Sequence, residues 1–150
     1  MSDNSIRLVP QNPRFLPDEL RRARAHARLS QLMPSAQTSV QIYQAVQFID
    51  CGANFESVNC PSCGAQLSIE WWHDRMAEDY DGNGFRLASY ATPCCTSRLP
   101  LYQLDYNWPQ AFARFLLEAT NPLLPQLADA DKRELEHILG TRLILIYRHL

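Results

Sequence analysis

Lysine is almost missing from this chain. Thirteen of its 14 basic residues are arginine, and the one lysine, Lys132, stands between Asp131 and Arg133, outside any glycine-rich loop. A P-loop nucleotidase needs a lysine that reaches phosphates from a Gly-rich turn, so that class is excluded. The chain also lacks H-E-x-x-H, G-x-S-x-G and G-x-G-x-x-G, the signatures of zincin proteases, α/β-hydrolases and dinucleotide-binding folds. Long apolar runs are missing as well. The longest β-branched stretch, Leu143 to Tyr147, is far short of the roughly 20 residues that a membrane-spanning helix requires. The first residues, Met1 to Arg7, are polar and form no apolar secretory core, so a cytoplasmic location without membrane contact is expected. Nor is there an excess of positive charge. The net charge is −2, which disfavours a strongly basic nucleic-acid binder.

What is present is the composition of an ordinary globular protein: 150 residues, 46% apolar and 20% charged. One domain over residues 1–150 is expected, with a Cys-rich insertion at about 55–100. That segment holds four of the five cysteines and three of the five glycines.

The flanking regions read as alternating strands and helices. Ile6 to Val9 is a strand candidate closed by Pro10. A helix follows from about Pro17 to Pro34, with Asp18 and Glu19 at its positive end. Leu16, Leu20, Ala23 and Ala27 fall at helical spacing and predict its buried face, with Arg21, Arg24 and Arg28 opposite. Val40, Ile42, Val46 and Phe48 alternate with polar residues, as in a strand, and Gln44 breaks the pattern. Ile69, Trp72, His73, Met76 and Tyr80 recur at helical spacing, which makes His73 a half-buried core residue. Phe85 to Tyr90 alternates like a strand. Trp108, Phe112, Phe115, Leu116 and Ala119 predict another helix, ended by Asn121-Pro122. Asp131 with Glu134 has capping-box spacing ahead of a short helix that stops at Gly140. Leu143 to Tyr147 reads as a strand buried on both faces, interior to a sheet. The class is α+β, with a ferredoxin-like order of strands and helices and a zinc-knuckle, zinc-ribbon-like insertion.

Chemistry concentrates in the cysteines. Cys60-Pro61-Ser62-Cys63-Gly64 is a knuckle sequence: two thiolates from one tight turn can face one ion, and Gly64 permits the left-handed residue that closes it. In a redox dithiol the reactive cysteine opens a helix after a strand, whereas here Gly64 follows the second cysteine and a helix begins only near Ile69. About thirty residues later comes Thr92-Pro93-Cys94-Cys95-Thr96. In an overlay Pro93 matches Pro61 and Cys95 matches Cys63, while Thr92 falls at the first ligand position and Cys94 at Ser62. Cys60, Cys63, Cys94 and Cys95 are therefore the candidate metal ligands and Zn²⁺ the candidate ion. Cys94, His73 or a water could fill the fourth position. Four thiolates make a closed structural site, and three with an open position permit Lewis-acid chemistry. Cys51 fits no ligand pattern and is expected to be a core thiol. The zinc-deaminase signature fails, because Ser97 stands where its second cysteine belongs and no H-x-E lies upstream.

Glu70, Asp74 and Asp81 form a polar side of the Trp71-Trp72 helix. They read as a solvated face, or as carboxylates beside a metal-bound water. Arg21, Arg24 and Arg28 could meet phosphates while Trp71, Trp72 and Tyr90 stack on bases. His26, His137 and His149 have no partner at a recognisable spacing.

The stretches Phe48 to Glu56, Cys60-Pro61-Ser62-Cys63-Gly64, Glu70-Trp71-Trp72, Thr92-Pro93-Cys94-Cys95 and Trp108 to Phe115 together resemble a family of small uncharacterised bacterial proteins. Some members carry the label "sugar ABC transporter ATPase", which this sequence does not support, lacking every nucleotide-binding motif. The family has Gly after its Cys-Cys pair, and this chain departs from it with Thr96. The resemblance implies a bacterial source and a compact single domain, and it supplies no catalytic residues. The expected function is zinc-stabilised recognition of another protein, of immunity or adaptor type. A nucleic-acid-binding zinc ribbon and a zinc-dependent hydrolase are the alternatives.

Overall fold

The computed structural model describes residues 3–150. Strand β1 (Asn4–Pro10) leads into helix α1 (Glu19–Leu32) and the long strand β2 (Gln37–Ile49). The middle of the chain carries β3 (Ser57–Asn59), α2 (Ile69–Asp79), β4 (Ser89–Ala91), β5 (Arg98–Pro100) and β6 (Asp105–Asn107). Strand β7 (Ala111–Thr120), helix α3 (Asp129–Leu139) and strand β8 (Leu143–His149) complete it. The class is α+β, with three helices and antiparallel sheets. No described helix is long and apolar enough to cross a membrane.

The main sheet has the order β2-β7-β1-β8, and every neighbouring pair is antiparallel. Helices α1 and α3 each join two strands that are not neighbours, and they pack on each other. Ile6 and Leu8 of β1 and Phe115, Leu117 and Ala119 of β7 meet Ala25, Leu29, Leu135 and Leu139 from the helices in one core. Asp18 caps α1, its carboxylate accepting the Arg21 N–H at 2.8 Å. Gly140 ends α3 in the left-handed conformation.

Several local expectations are corrected. Residues 111–120 form a strand, not a helix. This stretch is hydrophobic all round because β7 is covered on both faces: Phe115, Leu117 and Ala119 lie in the core with the helices, and Ala111, Ala113 and Leu116 in a separate apolar cluster with Val9, Ile49 and Ile146. An apolar run of this kind fits a buried strand as well as a helix. Conversely β8 is an edge strand, paired only with β1 in the main sheet, and of its residues only Leu143 and Ile146 are buried, the rest being half-buried. Helix α1 buries Ala25, Leu29 and the following Met33, whereas Leu20 is 60% exposed and Ala23 and Ala27 face solvent. Helix α3 begins two residues before Asp131, at Asp129, with Ala128 as an N-cap that makes no side-chain bond. Of the expected 85–90 strand only Ser89 and Tyr90 pair as a strand, in β4, which ends at Ala91. His73 is exposed. The break at Gln44 marks a register shift between Ile42 and Gln47 in the β2–β7 pairing.

The segment between β2 and β7 has a core of its own. Trp72 stacks on Phe55 with centroids 5.3 Å apart, and its indole N–H donates to the Tyr106 hydroxyl at 3.1 Å. That hydroxyl in turn donates to the Leu101 carbonyl at 2.8 Å. Val58, Cys60, Leu67, Leu99 and Leu104 fill the remainder, and Phe112 of β7 joins this core to the main sheet. Gly84 touches the β2 backbone so closely that a Cβ there would lie 2.6 Å from both Ala45 Cβ and the Val46 oxygen.

Candidate metal centre

Two short turns project from this second core. The first is residues 60–65, where Gly64 N–H donates to the Cys60 carbonyl at 2.8 Å and Cys60 N–H to the Ala65 carbonyl at 2.9 Å. The second repeats it at residues 92–97. There Thr96 N–H donates to the Thr92 carbonyl at 3.0 Å and Thr92 N–H to the Ser97 carbonyl at 2.9 Å. The equivalence is residue for residue: 60 with 92, 63 with 95, and 64 with 96. Gly64 (φ 79°) and Thr96 (φ 57°) both sit in the left-handed region. Thr92 therefore occupies the place of a first ligand, as the sequence overlay has it, and Cys94 that of Ser62.

The turns face each other. The Sγ atoms of Cys60, Cys63, Cys94 and Cys95 all lie within 4.8 Å of one another. Cys63 and Cys94 are 3.4 Å apart, and Cys60 and Cys95 are 3.7 Å apart. A tetrahedral ion with metal–sulfur bonds of about 2.3 Å requires sulfur separations of about 3.8 Å. The four cysteines could thus hold a metal ion with little movement, and the adjacent pair Cys94-Cys95 reaches it together. Among the described residues His73 belongs to no such cluster, and Cys94 supplies the fourth sulfur that could reach an ion.

Electrostatics around the sulfurs are uneven. Cys95 is held down to about 6, first by the Ser97 hydroxyl, 3.1 Å from its sulfur, then by the Thr92 hydroxyl at 3.5 Å and the Ser97 N–H. Cys60 is lowered too, chiefly by the Cys63 N–H. The Ala65 N–H favours a thiolate at Cys63, but the shared hydrogen bond with Cys94 leads the opposing effects, and the net result is a rise to about 11. Gathered thiolates also repel one another. Two unit charges 4 Å apart cost about 4 kcal/mol in a partly solvated protein setting, so four thiolates cannot gather without a cation. A dication removes that penalty and releases the remaining thiol protons.

Burial divides the ligands. Cys60 belongs to the second core and is 1% exposed, while Cys63, Cys94 and Cys95 are exposed at the turn tips. Cys51 lies apart, fully buried, and its thiol is pushed up to about 11 by burial and by the nearby Asp50 carboxylate.

Three groups escaped the sequence reading. Thr92 and Ser97 touch the Cys95 sulfur, a role that the overlay signals by position for Thr92 alone, Ser97 lying one residue beyond it. Asp79, fully buried, accepts the N–H groups of Leu87 and Ala88, each at 2.9 Å, and the Tyr90 hydroxyl at 2.8 Å. It thereby holds the chain that leads to the second turn. On the sheet face away from the helices, buried Arg7 pairs with Glu118 at 2.8 Å and with Asp50 at 3.2 Å.

The other candidates are dispersed. Asp81 is spent on its own loop, where its carboxylate accepts the Asn83 and Gly84 N–H groups and is thereby held below the usual range. Arg28 pairs with Glu134 at 2.6 Å and Arg21 with Asp18 at 3.6 Å, while Arg24 is exposed. Trp72 is buried and hydrogen-bonded in the second core, out of reach of a stacking base. His26 lies 3.1 Å from the Thr38 hydroxyl.

Comparison with protein-family models, curated proteins and solved structures yields no match for this chain.

Proposed function

We propose that this chain is a cytoplasmic bacterial protein that binds a structural Zn²⁺ through Cys60, Cys63, Cys94 and Cys95 and acts by recognising another protein, as an immunity or adaptor protein does. The observation that carries the metal reading is the sulfur tetrad, with close contacts of 3.4 and 3.7 Å against the roughly 3.8 Å edge of a zinc–thiolate tetrahedron. All-sulfur coordination suits zinc among the common cellular ions, and four protein ligands make a closed site with no position for a substrate water. That argues for a structural role rather than a zinc hydrolase. The strand order β2-β7-β1-β8 with a helix crossing in each half supports a ferredoxin-like reading of the main sheet. The paired turns support a zinc-ribbon-like reading of the segment inserted between β2 and β7. The motif resemblance supports membership of the bacterial family that carries the C-P-x-C-G and T-P-C-C sequences.

Recognition of a protein is supported by an apolar surface step. Leu123 is 83% exposed and Leu124 57% exposed, and both border a cavity of about 230 Å³ completed by Leu32, Met33 and Pro34. An apolar patch of this kind suits a protein partner better than a polyanion. The ion pairs of Arg21 and Arg28 leave less free charge for nucleic acid.

The test joins both parts. Metal content is measured on native reduced protein, and partners are captured with the wild type and with Leu123→Asp/Leu124→Asp. Stoichiometric zinc and a partner lost in the double variant support the reading. A zinc-free folded protein, or a partner replaced by salt-sensitive nucleic acid, overturns it.

A further inference from the structure

Resting on the zinc reading, we propose that the cysteine cluster is also a site of reversible oxidation, in which a peroxide links Cys63 to Cys94 as a disulfide and expels the metal. The geometry selects this pair. Their sulfurs are the closest recorded in the cluster, at 3.4 Å, and both are exposed. An S–S bond of about 2.05 Å needs an approach of about 1.4 Å. The other close pair, Cys60 with Cys95 at 3.7 Å, includes a residue held 1% exposed within the second core, where an oxidant has poor access. Cys51 is fully buried and serves as an internal reference thiol.

The step balances. One exposed thiolate attacks the peroxide, forming a sulfenic acid and releasing hydroxide. The other displaces the second hydroxide as the S–S bond forms, so the two sulfurs together give up two electrons and the peroxide becomes two waters once protons are taken up. Cys60 and Cys95 then remain as the only two ligands. Two ligands do not hold the zinc ion, and it leaves.

The consequence follows from charge and connectivity. Oxidation exchanges a dication and two thiolates at the turn tips for one covalent bond. Because Cys63 and Cys94 belong to different turns, the disulfide replaces the ion as the cross-link between them. The oxidised protein stays folded while the exposed tips exchange a bound dication for a disulfide, which alters any partner contact made there.

The experiment treats zinc-loaded full-length protein with hydrogen peroxide, follows zinc release with a chelating dye, and maps disulfides by peptide mass spectrometry after thiol blocking. The expected result is loss of the bound zinc with loss of two free thiols, a Cys63–Cys94 link, an unmodified Cys51, and recovery of zinc binding after thiol reductant. Retention of zinc at peroxide levels that fully oxidise a free thiol overturns the proposal. So does release accompanied only by sulfinic or sulfonic acids. Cys51→Ser must behave as the wild type, and a shift of the disulfide map in that variant also counts against the pairing. If the untreated protein holds no zinc, the metal reading fails by itself, and the map on the reduced chain decides the pair: Cys63–Cys94 supports it and any other link overturns it.

Discussion

Thr96 and Gly64 offer a matched pair of substitutions. Thr96 holds φ at 57° at the position where the first turn has Gly64 at 79°. A left-handed backbone costs a residue with a side chain about 1–2 kcal/mol. Thr96→Gly removes that strain but restores roughly 0.5–1 kcal/mol of unfolded-chain entropy. It also deletes an exposed contact from the Thr96 hydroxyl to the Cys95 carbonyl at 2.7 Å, a bond that contributes at most about 0.5 kcal/mol. The balance is a stabilisation near 0.5 kcal/mol, equivalent to about 1–2 °C in Tm for a chain of this size. Gly64→Ala runs the other way. A Cβ at Gly64 meets nothing within 4 Å, so the cost is purely one of backbone conformation. It comes to roughly 0.5–1 kcal/mol after the entropy gain. Paired urea and thermal denaturation of the metal-loaded proteins reads both. The reasoning fails if Thr96→Gly destabilises, or if Gly64→Ala is neutral.

Other perturbations test separate parts of the molecule. Glu118→Ala leaves buried Arg7 with only Asp50 for company and should cost about 3–5 kcal/mol by chemical denaturation; a loss below about 1 kcal/mol contradicts the buried pairing. Cys60→Ser should abolish stoichiometric zinc, while Cys51→Ser keeps it and loses about 1–2 kcal/mol from placing a hydroxyl in an apolar core. In the metal-free chain Cys95 titrates at about 6 against an ordinary 9. Between those values the unfolded chain holds a proton that the folded chain lacks, so Cys95 stabilises the fold fully above pH 9 and loses this contribution as pH falls through 6. Thiolate absorbance should therefore rise near pH 6 in the wild type and not in Cys95→Ser. The raised Cys63 acts above pH 9 with the opposite sign, outside that window.

The turn chemistry was legible in the sequence because it is local. The overlay of residues 60–64 on 92–96 needs only a Cys, a Pro and a left-handed closing residue, and the backbone bonds repeat it in register. The α+β class followed from period alone. What failed depended on neighbours that lie far off in the chain. Residues 111–120 combine good helix formers with continuous hydrophobicity, and only their position between β2 and β1 makes them a strand. The buried side of α1 was misread because small alanines at positions 23, 25 and 27 point in several directions and leave the stripe ambiguous. Arg22, counted with neither face, turns back to donate to the Pro17 carbonyl at 2.7 Å. Asp79 and Arg7 carry no signal in the sequence, since the groups they bind come from other elements or from across the sheet.

Everything here turns on whether one ion joins the two turns. X-ray absorption at the zinc edge, on stoichiometrically loaded and reduced protein, reads the ligands directly. Four sulfur neighbours at about 2.3 Å are expected, with the signal lost in Cys60→Ser. A shell containing nitrogen or oxygen, or a native protein that carries no zinc, would contradict it.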